Sequence, residues 1–305
     1  MTTPLSFPRF GRVLTAMATP FDLDGQIDHA EAARLAVYLV EHGNDGLVVA
    51  GSTGESVTLT SDEKIALFHT VQQAVGTRAK VLGGVGSPST GETVALIQRA
   101  SEVALDGLLV VTPAYNKPSQ EGLYRHFAAC AQATPLPLML YNVPGRTMVN
   151  MEPSTALRLA EIDTIVALKE AGALLQVGEV TDRAPQGFDV YCGADEVNLP
   201  ALALGAVGIV SVIAHIVGDD LHAMHDAFFA GDLDTARRLH LKTLPMTKAM
   251  FSVPNPVPTK TALTMMGVIS SSRVRLPLIE ANDQERIAIK TALADYGLLG
   301  AEGLS

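Results

Sequence analysis

Eight short apolar runs, each followed by a stretch of helical periodicity, limit what this chain can fold into more than any other feature. The runs are RVLTAMATP, DGLVVAG, AKVLGGVG, DGLLVVTP, PLMLYNVP, TIVALKE, FDVYCGAD and AVGIVSVIAH. Several lack polar alternation, as strands of a parallel barrel covered by helices do. Amphipathic segments lie between them. SDEKIALFHTVQQAVG opens with Ser61 as the expected N-cap and acids in its first turn, and it closes on Gly76. STGETVALIQRASEVA and EGLYRHFAACAQAT follow the same plan. Eight alternations predict an α/β fold, a (β/α)8 TIM barrel over residues 1–225. A doubly wound open sheet is the alternative. The strand count favours the barrel, and no GxGxxG follows the first strand. About ninety residues follow the eighth run, more than one closing helix needs. Helical patterns at 221–250, 260–266 and 283–296 therefore predict a small C-terminal helical extension, residues 226–305, packed on the barrel.

Composition narrows the function. The 305 residues are 48% apolar and 18% charged, enough for a large core. A formal net charge of −10 argues against a nucleic-acid partner, which would need a basic surface. Cys130 and Cys192 stand in no CxxC or other metal spacing, so no disulfide framework is expected. The N-terminal MTTPLSFPRFGRV has no basic head followed by an apolar run, and a cytoplasmic protein is expected. Residues 199–218, LPALALGAVGIVSVIAHIVG, are about long enough to span a bilayer. Pro200, the glycines, Ser211, His215 and the wealth of Val and Ile instead fit a short helix and a buried parallel strand, so no membrane association is expected.

In such barrels chemistry sits at the carboxyl ends of the strands. There this chain carries GSTGES (51–56), TPAYNKPSQ (112–120), YNVPGRT (141–147), a lysine at 169 and CGAD (192–195). Lysine is costly at the end of a buried strand, because its ammonium must be desolvated. Lys169 either snorkels or pairs with an acid such as Glu170, or it serves as a Schiff-base nucleophile. An amine attacks a carbonyl only when neutral, and apolar burial or a nearby cation such as Arg146 favours that form. An imine needs proton traffic, which Tyr141 on the adjacent strand can carry, with Tyr115 and Ser52 or Thr53 extending the chain of hydroxyls. For each tyrosine, core packing is the alternative. GSTGES is either a glycine turn capping a helix or a set of N–H groups and hydroxyls that hold a carboxylate. Arg146 is either a surface loop residue or a bidentate carboxylate ligand.

Taken together, GSTGES, TPAYNKPSQEGLYRHF, YNVPGRT, LKEAG and NPVPTK resemble the pyruvate-dependent class I aldolase superfamily, and within it the dihydrodipicolinate synthase family, over nearly the whole chain from about residue 11. The resemblance implies an imine between Lys169 and pyruvate, with Tyr141 as the proton donor and acceptor beside it. It implies that Thr53, in the loop with Gly51, holds the pyruvate carboxylate. Ser52, Tyr141 and Tyr115 would form a proton relay, Tyr115 reaching in from a neighbouring subunit. Arg146 would bind the carboxylate of the second substrate, L-aspartate 4-semialdehyde, and Gly193 and Val210 would line the pyruvate pocket through their backbone. The enamine would attack the aldehyde, and cyclisation would release the lysine. The implied product feeds lysine and diaminopimelate synthesis. No metal and no cofactor beyond the covalent imine are implied, and the assembly would be a homotetramer, a dimer of tight dimers.

The chain departs from the family pattern at several points. Ser52 stands for the usual threonine, which keeps the hydroxyl but loses the β-methyl that fixes its rotamer. Ala114 replaces a tyrosine at the tight-dimer interface, CGAD stands for SGDD, and KEAGAL for KEASGD. The positions of the lysine effector site in sensitive relatives correspond to Ser61, Lys64, Pro88, Glu92 and Ala114, of which only the acid is kept. Lysine inhibition is therefore expected to be weak or absent. Sialic acid lyases and 2-keto-3-deoxy sugar acid aldolases share the lysine, tyrosine and glycine loop but lack an arginine after the YNVP turn. A metal-dependent hydrolase would need clustered ligands, whereas the eight histidines are scattered and His222 and His225 are expected on a solvated helix face. A non-catalytic pyruvate-binding paralogue would not need the full set of Lys169, Tyr141, Tyr115, Thr53 and Arg146.

Overall fold

The structure, a computed structural model, describes residues 7–299. Eight parallel strands close into a barrel in sequence order, β1 pairing with both β2 and β8. They are β1 (Val13–Ala16), β2 (Gly46–Val49), β3 (Lys80–Gly84), β4 (Gly107–Val111), β5 (Leu138–Asn142), β6 (Ile165–Glu170), β7 (Asp189–Cys192) and β8 (Gly208–Ser211). Each lies within one of the eight apolar runs. The helices over the sheet are α1 (His29–Glu41), α2 (Ser61–Val75), α3 (Thr90–Ala100), α4 (Gln120–Gln132), the short α5 (Pro144–Thr147), α6 (Pro153–Ala160), α7 (Leu174–Arg183), α8 (Asn198–Ala203) and α9 (Ala214–Phe229). Three more follow: α10 (Leu233–Met250), α11 (Val257–Met265) and α12 (Asp283–Tyr296).

The strands are apolar throughout because both faces are buried. One face meets the helices through residues such as Leu47, Val49, Leu140 and Leu168. The other fills the barrel with Leu14, Val48, Leu82, Leu109, Met139, Ala167, Tyr191 and Val210, above Phe10. Residues 199–218 resolve into α8, β8 and the start of α9, and no described helix is long and apolar enough to cross a membrane. Both cysteines are buried and free.

Three expectations need correction. The N-cap of α2 is Thr60, not Ser61: its side chain accepts from the Glu63 N–H, and Glu63 accepts in return from the Thr60 N–H at 2.8 Å. The reciprocal box needs an acid three residues after the cap, and from Ser61 that position is Lys64. The helical pattern at 221–250 is two helices, broken where Gly231 takes φ +84°. The helix that closes the barrel runs to Phe229, so a boundary between 225 and 226 falls inside it. Of the extension, residues 300–305 lie outside the described part, as do residues 1–6 of the N-terminal reading.

Candidate active site

A cavity of about 370 Å³ opens at the carboxyl end of the barrel, floored by Ala16, Val48 and Leu109 from β1, β2 and β4. The period-2 geometry of strands decides what points into it. In the β5–β6 register Met139 faces Ala167 and Tyr141 faces Lys169, and Met139, Tyr141 and Ala167 all belong to the barrel interior. Lys169 thus enters the cavity, while Leu168 and Glu170 turn to the helices.

Lys169 is 5% exposed and its Nζ lies 4.2 Å from the centroid of the Tyr141 ring, a cation–π contact when the amine is charged. Among the described residues it makes no salt bridge. The pairing with Glu170 is absent because the two side chains leave opposite faces of the strand. Glu170 instead accepts from Asn142 Nδ2 at 3.0 and 3.1 Å and from the Gly172 N–H at 2.5 Å, and burial raises its pKa to about 7. Asp195, a buried acid just beyond β7, is also spent elsewhere: it accepts from Ser211 Oγ at 2.5 Å and from the Val212 N–H at 2.9 Å. Burial raises its pKa as well, against the pull of those hydrogen bonds and of the Lys169 charge.

The glycine loop after β2 supplies Gly51, Ser52 and Thr53 to the wall. It does not cap α2; a 3₁₀ turn over Ser56–Thr58 intervenes. Its shape needs left-handed backbone at two non-glycine residues, Ala50 (φ +53°) and Glu55 (φ +55°). Polar ties from the C-terminal extension hold it there. Asn255 Nδ2 donates to Thr53 Oγ1 at 2.8 Å, Lys260 Nζ to Glu55 Oε1 at 2.6 Å, and the Arg275 N–H to Glu55 Oε2 at 2.9 Å. Lys260 is fully buried, and burial lowers its pKa to about 8 although Glu55 opposes the shift.

Val143 and Arg146 line the rim after β5, Arg146 on the exposed first turn of α5. Gly193 lines the cavity beside Lys169. A Cβ there would stand 3.0 Å from Lys169 Cε and 2.8 Å from the Ala171 Cβ. Two of the expected residues are not in the wall. Val210 lies among the barrel-interior side chains with Tyr141 and Ala16, and Val212 takes the wall position on that strand's exit. Tyr115 is 93% exposed, in left-handed backbone (φ +73°), and turned out of this chain's own cavity. No hydrogen bond joins Ser52, Tyr141 and Tyr115 among the described residues.

Sequence reasoning missed Thr247, Lys248, Phe251 and Asn255, which α10 and the turn after it bring over the mouth, and Ala171 and Glu196 on the strand exits. NPVPTK, which contains Asn255 and Lys260, was the one available signal. At the rim the exposed charges are two cations, Arg146 and Lys248, and one acid, Glu196. The histidine expectation fails in part. His225 is buried, its Nε2 3.1 Å from Asn198 Oδ1, and only His222 is partly solvated. Lys64 is likewise buried in α2, and burial lowers its pKa.

With this geometry in hand, comparison with known proteins is specific. Residues 9–296 match the model of the dihydrodipicolinate synthetase family. A protein of Moorella thermoacetica named 4-hydroxy-tetrahydrodipicolinate synthase is 52% identical over 95% of this chain and 100% of its own length. Among solved structures, a dihydrodipicolinate synthase of Cyanidioschyzon merolae with lysine bound superposes with a TM-score of 0.93 at 42% identity, covering 96% of this chain and 100% of that one. One from Acinetobacter baumannii complexed with pyruvate gives 0.91 at 36% identity, covering 95% and 99%.

Proposed function

The chain belongs to the dihydrodipicolinate synthetase family, and on that premise we propose that it is a lyase condensing pyruvate with L-aspartate 4-semialdehyde to 4-hydroxy-tetrahydrodipicolinate, in lysine and diaminopimelate biosynthesis. The observation that carries the reading is Lys169, an amine inside a barrel, beside a tyrosine and without a carboxylate partner.

The chemistry follows from the residues. Lys169 Nζ adds to the keto carbon of pyruvate, and the carbinolamine loses water to give the imine. The Tyr141 hydroxyl, on the adjacent strand, delivers and takes up the protons of that step. Thr53 and the loop at Gly51 hold the pyruvate carboxylate against the floor, and Gly193 leaves room for the lysine stem. Loss of a methyl proton gives the enamine, whose carbon attacks the aldehyde of the second substrate. Arg146 binds that substrate's carboxylate at the rim. The substrate amine then displaces Lys169 by cyclisation and frees the enzyme. The covalent imine is the electron sink, so the proposal includes no metal or organic cofactor. Ser52 and Tyr115 complete the proton relay, Tyr115 supplied by a neighbouring subunit of a homotetramer in the cytoplasm. Lysine inhibition is weak, because the histidines, asparagine and tyrosine of the effector site are absent; half-inhibition well below millimolar lysine would contradict it. A rim arginine and the named relatives both favour this reading over the sugar-acid aldolases.

Borohydride reduction in the presence of pyruvate, then digestion and mass spectrometry, tests the reading directly. A pyruvyl adduct on Lys169 and turnover of aspartate semialdehyde are expected. A folded protein that yields no adduct with excess pyruvate would overturn it.

A further inference from the structure

We infer that Asn255 is a positioning residue for the keto acid: it fixes the Thr53 hydroxyl as a hydrogen-bond donor into the cavity. This rests on the assignment of Thr53 to the pyruvate carboxylate. The two residues are 202 positions apart, and both line the cavity. Asn255 is 7% exposed and Thr53 2%. A hydroxyl has one proton and two lone pairs. Asn255 Nδ2, at 2.8 Å, occupies a lone pair of Thr53 Oγ1, and the Thr53 proton has no acceptor among the described residues. The proton is thus directed away from the amide and is free for a ligand, and a carboxylate is an acceptor only.

The amide is well placed to impose this polarity. It precedes α11, and Lys260 on that helix grips Glu55, two residues beyond Thr53, at 2.6 Å. The amide and its target are therefore held against each other from two sides. Asn255 Oδ1 is buried and makes no hydrogen bond, so the amide's role toward the loop is as a donor.

The test is reversal of polarity. Asn255→Asp keeps the shape but removes the donor, and Thr53 then turns its proton to the new carboxylate. Half-saturating pyruvate in borohydride trapping is expected to rise by more than roughly tenfold in Asn255→Asp and by only a few-fold in Asn255→Ala. If the amide only packs, the better-fitting aspartate is the milder change, and that order overturns the inference. Charge repulsion by the aspartate is separated by repeating the substitution in Thr53→Val. An effect routed through Thr53 shrinks in that background, whereas undiminished loss means plain repulsion and also overturns it. Should Asn255→Asp fail to fold, the same cycle with Asn255→Ala gives the same readout. If Thr53→Val leaves half-saturation unchanged, the carboxylate assignment itself fails. If Thr53→Val raises it and the Asn255 variants do not, only the present inference fails.

Discussion

At the scale of the residue, one step of strand alternation separates a nucleophile from a structural carboxylate. Lys169 and Glu170 are neighbours in sequence, yet one enters the cavity and the other braces β5 through Asn142. The space Lys169 occupies exists because residue 193 has no side chain. An added methyl would meet Lys169 Cε at 3.0 Å and backbone and Cβ atoms of residues 170 and 171 at 2.8–3.0 Å. The lysine stem can move aside, but the sheet cannot. Gly193→Ala is therefore expected to lower stability by about 1–3 kcal/mol, read as a drop in melting temperature, and to slow pyruvate trapping by roughly a hundredfold, the cost of displacing a reacting group by about an ångström. An unchanged trapping rate would show that the stem does not need that space.

At the scale of the element, the site is closed by helices that are not part of the barrel. α10 and the turn before α11 bring Thr247, Lys248, Phe251 and Asn255 over the mouth, and α11 contributes the Lys260–Glu55 pair. That pair holds Glu55 in left-handed backbone, and Lys260 also donates to the Arg273 carbonyl at 2.7 Å and lies 4.0 Å from the Phe21 ring centroid. Removing Lys260 leaves the buried Glu55 carboxylate with only the Arg275 N–H. Lys260→Met should cost about 3–5 kcal/mol of stability by denaturant unfolding. It should also raise half-saturating pyruvate, since the loop it releases carries Thr53. A loss below 1 kcal/mol would mean that the loop holds its shape without the pair.

At the scale of the whole molecule, two features point beyond the isolated chain. Tyr115 and Met148 are 93% and 65% exposed, and both stand in left-handed backbone. They adjoin through the Tyr115 N–H bond to the Thr147 carbonyl. Exposed apolar residues held in strained backbone suit an interface. If Tyr115 serves a neighbour's cavity, protomers carrying Tyr115→Phe mixed with protomers carrying Lys169→Ala regain activity. Random pairing makes about half of the dimers mixed, each with one intact site, so about a quarter of all sites are restored. No recovery after demonstrated subunit exchange would place the relay elsewhere. The second feature is acid sensitivity. Burial lowers the pKa of His126 to about 4, its Nδ1 2.9 Å from Thr90 Oγ1. A histidine depressed in the folded state binds its proton more readily when unfolded. Its stabilising contribution is complete above the unfolded value near 6.5 and is lost as pH falls toward 4. A His126→Gln variant, which cannot titrate, should lose about 2 kcal/mol less than the parent between pH 7 and pH 5 in urea unfolding. Equal losses would mean that His126 is not held neutral.

The chain's pattern alone determined the eight strands, the barrel and the place of Lys169, Tyr141, Arg146 and the glycine loop on one rim. These are local consequences: short continuous apolar runs, caps and turns act within a few residues, and barrel closure then sends every strand end to the same face. Only the tertiary structure decided that Thr60 caps α2 and that Val212, not Val210, walls the cavity. It alone revealed that Asn255 and Lys260 reach about two hundred residues back to the loop. Those contacts depend on where a helix outside the strand–helix repeat comes to rest. That resting place is set by packing over the barrel mouth, which no periodicity in the sequence records.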